Sequence, residues 1–381
     1  MNYTKYGIGR TDRTWAEISL ENLKKNALLA KEKAGGAKLM CVIKADAYGH
    51  GAVECSRFLQ EKGIADAFAV ASVDEATELR ENGIELPVLI LGFTKPEHAT
   101  MLSRMDIIQS VLDEDMARDL SANAEELLKV HVQIDTGMSR TGLYAQNDEG
   151  VKAAIEAVLR INAMKNIRIE GMFTHLSVAD TESETDYTNW QIDNFIKVRE
   201  GLLARGLKIK TCHVGNSAGI LFHKRAHFDM VREGIMLYGL YPDSIHVENG
   251  ILSPVMTVKS RVAQVKKLAA GTSVSYGRTY KTEHDIESAV ILAGYADGYP
   301  RRLSNAAKIT IDGKTYNQIG RVCMDMIMAD VTGGSVKRGD VATLFGSGGM
   351  SVEEVAEIVG TINYEITSLV TRRVERIYLK Q

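Results

Sequence analysis

Short apolar runs alternate with amphipathic segments over residues 20–240 of the chain. Each run has the length of a buried strand, and each intervening segment places its apolar residues on one face of a helix. The runs are LMCVI (39–43), FAVAS (68–72), VLILG (88–92), DIIQSV (106–111), VHVQID (130–135), RIEGMFT (168–174), KIKTCHV (208–214) and FDMVREGI (228–235). Strands that alternate with helices form parallel sheets, and about eight of them close into a barrel. The pattern therefore predicts an α/β fold that begins with a (β/α)8 TIM-like barrel.

A different pattern begins after Tyr241 and Pro242. The segments VMTVKSRVAQVKKL (255–268) and KITIDGKTYNQIG (308–320) alternate apolar and polar residues. Such alternation is typical of strands that are buried on one face. We therefore predict two domains, the barrel over residues 1–241 and a C-terminal, mainly-β domain over residues 242–381.

Local signals predict individual helices and turns. Ser351 and Glu354 form a capping-box pattern at the start of a helix over 352–361. Asp312 and Gly313 predict a tight hairpin turn, because both tolerate a positive φ. GSGG (346–349) lacks the GK[ST] that follows in a phosphate loop, so it predicts an ordinary turn. The helices predicted within the barrel cover 21–34, 74–82 and 190–204.

Composition narrows the class of protein. Of the 381 residues 45% are apolar and 25% charged, with a net charge of -3, which argues against disorder and against a nucleic-acid partner. The N-terminal segment has no apolar signal region and no apolar stretch is long enough to cross a membrane, so a cytoplasmic protein with a small-molecule partner is predicted. Cys41, Cys55, Cys212 and Cys323 are scattered singly, which predicts reduced thiols and no metal site.

Lys44, in the segment VIKADAYGHG, follows the first apolar run directly. Burial at a strand end disfavours the ammonium form, so the amine becomes a nucleophile that can form a Schiff base with an aldehyde. A lysine that extends to solvent is the alternative. The polar residues Asp46, Tyr48 and His50 follow in the same loop, and they favour a functional lysine.

Other polar residues also follow predicted strands. They are Arg140 after the fifth, His175 after the sixth, His213, Asn216 and Ser217 after the seventh, and Arg232, Gly234 and Ile235 after the eighth. Catalytic groups in a barrel come from the carboxyl ends of its strands, so we expect these residues at one mouth. Each has a structural alternative, since Arg140 can be a surface cation, His175 a hydrogen-bonded core residue and Ser217 a helix cap.

The loops after the seventh and eighth strands, GNSAGI (215–220) and REGI (232–235), are suited to binding phosphate. Barrels of this type often bind phosphate there through backbone N–H groups, and glycine lets the backbone approach an anion closely. A reactive lysine and a phosphate site at one mouth predict pyridoxal 5'-phosphate. Its ring would act as an electron sink for a carbanion.

Nine motifs carry a family resemblance. VIKADAYGHG, DTGMSRTG, FTHLSVAD, HVGNSAG, MVREGIMLYGLYP, VSYGRTY, GYADGYPRR, VCMDM and INYE occur in this order over nearly the whole chain and resemble the bacterial alanine racemases. The resemblance implies a fold-type III pyridoxal phosphate enzyme that supplies D-alanine for peptidoglycan. It also implies a homodimer in which two chains build each active site.

The resemblance implies two catalytic bases. Lys44 would hold the cofactor and act on the D-isomer, while Tyr276 of VSYGRTY, contributed by the partner subunit, would act on the L-isomer. Racemisation needs such a pair, because one group removes the α-proton from one face and the other returns a proton to the opposite face. Without the family context, a tyrosine at this position of a β domain is more often a half-buried packing residue, which is the alternative for Tyr276.

The remaining site residues are implied in the same way. Arg232 would donate to the pyridine nitrogen with His213 holding it in place, which weakens the ring as an electron sink and disfavours transamination. The other residues implied for the cofactor are Tyr48, His175, Asn216, Ser217, Gly234, Ile235 and Tyr364. Arg140 and the backbone N–H of Met324 would bind the substrate carboxylate. An access corridor for small amino acids would contain Asp180, Tyr295, Arg301 and Ile362.

Two positions depart from the family pattern. Gln133 stands where many members have a lysine, often carbamylated, that orients the arginine of the DTGM loop. The neutral amide can still orient Arg140 by a hydrogen bond, but it brings no negative charge. RVER (373–376) replaces the usual RVPR, and we expect only a local backbone change there.

Three other functions remain open on the sequence. A racemase for serine or another small amino acid would use the same residues, and Gln133 keeps that alternative open. A decarboxylase on the same barrel would leave VSYGRTY and GYADGYPRR without a role. A non-catalytic carrier of pyridoxal phosphate would need no β domain.

Overall fold

The computed structural model describes residues 11–242 and 250–380. Its first elements are β1 (Thr14–Ser19) and α1 (Leu20–Lys33). Ser19 caps α1, because its side chain accepts a hydrogen bond from the backbone N–H of Asn22. The apolar residues of α1, among them Leu23 and Ala27, are fully buried.

The eight apolar runs form the eight strands of one closed parallel barrel. These strands are β2 (Lys38–Val42), β3 (Ala67–Val70), β4 (Val88–Ile90), β5 (Ile107–Val111), β6 (Leu128–Asp135), β8 (Ile167–Phe173), β9 (Thr211–His213) and β10 (Met230–Glu233), with a short strand β7 (Leu143–Tyr144) beside β6. They pair in the order β5-β4-β3-β2-β10-β9-β8-β6, and β5 pairs with β6 to close the ring. The predicted α/β barrel is confirmed.

Helices surround the barrel and connect its strands. After β2 comes α2 (Lys44–Tyr48), a short turn with left-handed backbone. The helices are α3 (Ala52–Glu61), α4 (Val73–Glu81), α5 (Ala99–Arg104), α6 (Glu114–Asn123), α7 (Asp148–Asn162), α8 (Thr185–Ala204) and α9 (Ser217–Phe222). Side chains cap several of them, since Ser72, Asp113 and Asn147 each accept a backbone N–H three residues on. Of the predicted helices, 21–34 and 74–82 are shifted by one residue, while 190–204 begins earlier, at Thr185.

A second, mainly antiparallel sheet follows the barrel. Its elements are β11 (Met256–Leu268), β12 (Ser273–Val274), β13 (Tyr280–Lys281), β14 (Ile286–Ile291), β15 (Lys308–Ile311), β16 (Lys314–Ile319), β17 (Ile327–Asp330), β18 (Val341–Phe345), α10 (Val352–Val359), α11 (Asn363–Ser368) and β19 (Glu375–Leu379). Eight strands pair in the order β14-β17-β16-β15-β18-β11-β1-β19, and β14 also pairs with β11. β12 and β13 form a separate hairpin. The predicted β domain is confirmed.

The predicted hairpin turn and capping box of this domain are confirmed, whereas α10 ends at Val359, two residues before its predicted end. Asp312 and Gly313 join β15 to β16 with φ values of 47° and 71°, as a tight hairpin requires. The Ser351 hydroxyl accepts from the backbone N–H of Glu354 at 3.0 Å, and the Glu354 carboxylate accepts from that of Ser351 at 2.6 Å. This capping box begins α10.

The barrel and the β domain contact each other across the predicted boundary at residue 241. β1 belongs to the second sheet although it precedes the barrel, and it pairs with β11 and β19. Asn363 of α11 donates to the carbonyl of Tyr241 at 2.9 Å. The boundary itself stays a prediction. In the described part of the chain, no helix combines the length and apolar character needed to cross a membrane.

Candidate active site

Lys44 lies at the carboxyl end of β2, where the chain leaves the barrel. Its side chain is half-buried, and burial lowers the pKa of its amine below the ordinary value. The positive charges of Arg140 and Arg232 lower this pKa further, whereas the Glu75 carboxylate raises it. The environment therefore favours the neutral, nucleophilic amine that the sequence predicted.

The four residues after Lys44 form a left-handed turn. Ala45, Asp46, Ala47 and Tyr48 have φ values of 53° to 55°, a conformation that L-residues rarely adopt in succession. Consecutive left-handed residues turn the backbone sharply at the end of β2. This geometry was not predicted from the sequence.

Side chains from distant segments hold the left-handed turn. The Glu75 carboxylate accepts from the N–H of Ala45 at 2.6 Å and from the N–H of Ala71 at 2.7 Å. Arg376 of β19 donates from Nε and Nη2 to the carbonyl of Gly49 at 3.0 and 2.9 Å. The position of the lysine loop thus depends on both parts of the chain.

Hydroxyl and backbone donors converge beside this loop. The Ser217 hydroxyl accepts from the N–H groups of Gly234 and Met236 at 3.0 and 3.4 Å. A Cβ added at Gly234 would lie 3.1 Å from the Tyr48 hydroxyl and 3.6 Å from the Ser217 hydroxyl. The hydroxyls and N–H groups at this point match the acceptors of a phosphate, so the residues present fit the phosphate of pyridoxal phosphate.

Other residues predicted for the cofactor lie around this cradle. Asn216 caps α9, because its Oδ1 accepts from the N–H of Gly219 at 2.9 Å. Ile235 is fully buried at the start of a 3-10 turn that ends at Tyr238. The Tyr364 ring lies 6.1 Å from the Tyr48 ring. The structure therefore brings these predicted residues to one end of the barrel.

Arg232 is a buried cation held by neutral acceptors. Its guanidinium donates to the carbonyls of Thr174, His213 and Val214 at 2.8 to 3.0 Å. It also contacts Nδ1 of His213 at 2.9 Å and Nδ1 of His175 at 3.4 Å. Burial lowers its pKa to about 9, so it remains a donor at neutral pH.

A second histidine completes a chain of hydrogen bonds behind Arg232. Because a guanidinium only donates, Nδ1 of His213 must accept, and its proton resides on Nε2. That Nε2 lies 2.8 Å from Nδ1 of His131, which therefore accepts in turn. Burial, reinforced by the Arg232 charge, lowers the pKa of His131 to about 3 and that of His213 well below its ordinary value. Both rings are neutral and fix the orientation of the arginine.

Gln133 differs from its predicted role in orienting Arg140. Its buried Oε1 accepts a hydrogen bond from the hydroxyl of Thr141 at 3.2 Å. Gly142, with φ of 114°, brings the loop back against β6 and places the hydroxyl within reach. Arg140 is exposed and forms no hydrogen bond or ion pair to any other residue described in the structure. Its guanidinium is available to a ligand carboxylate.

A second set of predicted residues lies on the surface of the β domain. Tyr276, on a 3-10 turn, is 71% exposed, and Met324 is 52% exposed. Arg301 is exposed on a further 3-10 turn, and Tyr295 and Ile362 are each 42% exposed. An exposed tyrosine is a poor base or acid within one chain, because water competes for its hydroxyl. Asp180, which was also predicted for the corridor, lies in the loop after β8 of the barrel.

Sequence reasoning missed several residues that shape the site. Glu75, Arg376 and His131 act through other residues, and no local motif marks their targets. Asp135 offers a clearer signal, as an acidic residue at the start of the DTGM loop. Its Oδ1 accepts from the N–H groups of Gly137 and Ser139 at 3.1 and 2.9 Å, which shapes the loop that carries Arg140.

All four cysteines are free, and three are fully buried. Among residues 11–242 and 250–380, no group of three histidine, cysteine, aspartate or glutamate side chains could hold a metal ion.

Comparison with known proteins gives a consistent result over both parts of the chain. The family model for the alanine racemase N-terminal domain matches residues 18–242, and that for the alanine racemase C-terminal domain matches residues 255–378. The alanine racemase of Clostridium novyi is 42% identical over 96% of this chain and 95% of its own length. That of Carboxydothermus hydrogenoformans is 44% identical, over 96% and 99%. The solved alanine racemase of Clostridium difficile 630 superposes with a TM-score of 0.90 at 39% identity, covering 97% of this chain and 96% of its own.

Proposed function

The chain belongs to the alanine racemases, which are pyridoxal phosphate-dependent isomerases, and we propose that it interconverts L- and D-alanine with Lys44 and Tyr276 as its two bases. The observation that carries this proposal is the Lys44 environment. A half-buried amine of lowered pKa lies at the same barrel end as a phosphate-type donor cluster and a buried arginine. Membership of the alanine racemase family supports racemisation as the reaction carried out at this site.

Pyridoxal phosphate, when bound, supplies an electron sink that stabilises negative charge at the substrate α-carbon. Tyr48, Ser217 and the N–H of Gly234 would hold its phosphate. Arg232 would donate a hydrogen bond to its pyridine nitrogen, and the neutral pair of His213 and His131 keeps the guanidinium in place. Since arginine keeps its proton, the ring nitrogen would stay unprotonated, which favours proton exchange over transamination.

Proton transfer would use one group on each face of the substrate. Lys44 Nζ would take or return the proton on one face, and its lowered pKa favours the neutral form that a base needs. The Tyr276 hydroxyl would do the same on the other face. Because Tyr276 is exposed on the β domain, its proposed partner is the Lys44 of a second copy of the chain.

Substrate binding would rest on the carboxylate. The exposed Arg140 guanidinium and the backbone N–H of Met324 are the proposed donors, and Asp180, Tyr295, Arg301 and Ile362 would line an access corridor for small amino acids. We further propose a cytoplasmic homodimer that supplies D-alanine for peptidoglycan. Family membership supports these assignments.

The main experiment is chiral analysis of the product formed from L-alanine and, separately, from L-serine by the holoenzyme. We expect D-alanine to accumulate to an equimolar mixture, with much slower turnover of serine. Faster turnover of serine would establish the alternative racemase. Cofactor binding without α-deuterium exchange in heavy water would instead establish a non-catalytic carrier, and release of carbon dioxide a decarboxylase.

The cofactor assignment is tested independently of turnover. Borohydride reduction of the holoenzyme, followed by proteolysis and mass spectrometry, should place the cofactor mass on Lys44. A label on any other lysine would reject Lys44 as the attachment site.

Replacing Tyr276 with phenylalanine tests the second base. The variant should keep its bound cofactor, while racemisation falls by about 10²- to 10⁴-fold, the usual contribution of a positioned acid or base. Tyr280→Phe, in the same hairpin region, is the control and should keep activity. Near-normal turnover by Tyr276→Phe would reject Tyr276 as a base.

A further inference from the structure

Four charged residues from four separate segments of the chain form one cluster on the β domain. Arg373 forms an ion pair with Asp297, whose Oδ1 lies 2.8 Å from Nε, and donates from Nη2 to Oδ1 of Asp325 at 2.6 Å. Arg13 donates from Nη2 to Oδ2 of Asp297 at 2.8 Å and to the carbonyl of Asp325 at 3.3 Å. The Asp297 side chain is almost completely buried. Two cations thus join two carboxylates that lie in different loops.

These two loops are also joined through their backbones. The N–H of Tyr295 donates to the carbonyl of Cys323 at 3.1 Å, and the N–H of Ala296 donates to the carbonyl of Met324 at 3.0 Å. A Cβ at Gly294 would lie 2.3 Å from each of those carbonyls, so only glycine permits this approach. The Asp297 carboxylate also accepts from the N–H of Gly294 at 2.9 Å. Residues 294–297 and 323–325 therefore form one unit.

We propose that Arg373 is a positioning residue for substrate, because it joins the Asp297 and Asp325 carboxylates and so fixes the loop that presents the Met324 backbone N–H. This inference rests on the proposed function, in which that N–H binds the substrate carboxylate. Asp325 is the residue directly after Met324. Loss of the Asp325–Arg373 ion pair would leave residues 323–325 less firmly held, next to the N–H proposed to bind the substrate carboxylate.

A loop that binds the carboxylate has a defined kinetic signature. The carboxylate keeps its charge from bound substrate to transition state, so the Met324 N–H stabilises both equally. Loss of such uniform binding raises KM and leaves kcat nearly unchanged. A contribution to folding alone would lower the thermal midpoint without changing KM.

The test compares Arg373→Ala with Arg372→Ala in the holoenzyme. Arg372 is the exposed neighbour and forms no hydrogen bond or ion pair within the described chain. Its replacement by alanine removes the same side chain but leaves the cluster intact. For Arg373→Ala we expect KM for L- and D-alanine to rise about tenfold, equivalent to ~1.4 kcal/mol, with kcat changed by less than about threefold. Arg372→Ala should match the wild type.

Asp325→Asn provides a second variant that keeps both arginines on buried Asp297. It should raise KM in the same direction, with the cofactor absorbance unchanged. Equal KM values for Arg373→Ala, Asp325→Asn and the wild type would overturn the inference even if the thermal midpoints differ. Absence of racemisation by the wild type would instead reject the proposed function, so the two failures are distinguishable.

Discussion

Glu233 lies between two residues of the proposed cofactor site, and its own surroundings are unusual for a carboxylate. It lies between Arg232 and Gly234 on β10, is fully buried, and neither carboxylate oxygen has a hydrogen-bond partner among the described residues. Side chains alternate along a strand, so Glu233 points away from the face that carries Arg232. Burial raises its pKa well above the ordinary value. The group is therefore a neutral acid in the wall of the barrel, which is a cost to stability without a contact to offset it.

Replacing Glu233 with methionine, which has a similar volume, should stabilise the protein at neutral pH. Removal of an unpartnered buried polar group is worth about 1–3 kcal/mol. The gain should grow as pH rises above about 4.5, because the unfolded chain then loses this proton while the folded protein keeps it. Below that pH the acid is protonated in both states and the pH-dependent part of the gain disappears.

Thermal midpoints of wild type and Glu233→Met at pH 5 and pH 8 measure this difference. Glu78→Met, at an exposed position of α4, is the control and should show no pH-dependent gain. A Glu233→Met gain that is equal at both pH values would contradict the neutral acid.

The positions of the residues proposed to contact a ligand were easier to predict than the residues that hold them in place. Lys44 and Arg232 follow apolar runs, so strand periodicity alone locates them at the barrel end. Glu75 and Arg376 act on the backbone of residues 45 and 49, and nothing in their own segments indicates those contacts. Gln133 is an intermediate case, because its position was predicted but its partner, Thr141, depends on how the loop turns.

At the level of elements, the left-handed turn of α2 is the least ordinary part of the fold. An L-residue in this conformation costs about 1–2 kcal/mol, and four of them occur in succession. Such strain persists only where surrounding contacts determine the conformation, here those of Glu75 and Arg376. The turn leads from Lys44 to Tyr48, which is part of the phosphate cradle. Its conformation therefore sets the distance between the lysine and the cradle.

Ala45→Gly and Ala153→Gly should have opposite effects on stability. Ala153 is exposed within the regular helix α7, so glycine there should destabilise by about 1 kcal/mol. Ala45 is exposed at φ of 53°, where glycine removes the steric penalty and should be neutral or stabilising by up to about 1 kcal/mol. Thermal midpoints of the two holoenzymes measure the difference. Equal destabilisation by both would show that the turn is not left-handed.

The barrel strands were predictable because each is a short apolar run bounded by polar residues. All eight overlap their predicted ranges. The membership of β1 in the second sheet could not be predicted, since it depends on pairing with β11 more than 200 residues away. The left-handed conformation of α2 could not be predicted either. Ala-Asp-Ala-Tyr has no glycine to indicate a positive φ, and tertiary contacts decide the conformation.

On the scale of the whole molecule, the proposed site is divided between two surfaces. Lys44, Arg232 and the phosphate cradle lie at the barrel end, whereas Tyr276 and Met324 are exposed on the β domain. In a homodimer with twofold symmetry, any contact between the barrel of one chain and the β domain of the other occurs twice. Each of two sites would then combine one barrel with the partner's β domain.

Mixed dimers of two inactive variants test this division. Lys44→Ala and Tyr276→Phe should each be nearly inactive alone. In a dimer with one chain of each kind, one site receives both defects and the other receives none. Co-refolding the two variants in equal amounts, or co-expressing them, should therefore restore roughly a quarter of wild-type activity, because half of the dimers are mixed and half of their sites are intact.

The same mixture distinguishes the alternative arrangement. If Tyr276 acted on the Lys44 of its own chain, every chain in the mixture would carry a defect in its own site, and no combination could restore activity. Separately folded variants, combined without exchange of subunits, control for residual activity. Cofactor absorbance of the mixed dimer should be half that of the wild type, since only chains with Lys44 can attach the cofactor. Restored racemisation with that absorbance would show that a site is completed across the dimer, and its absence would place both bases in one chain.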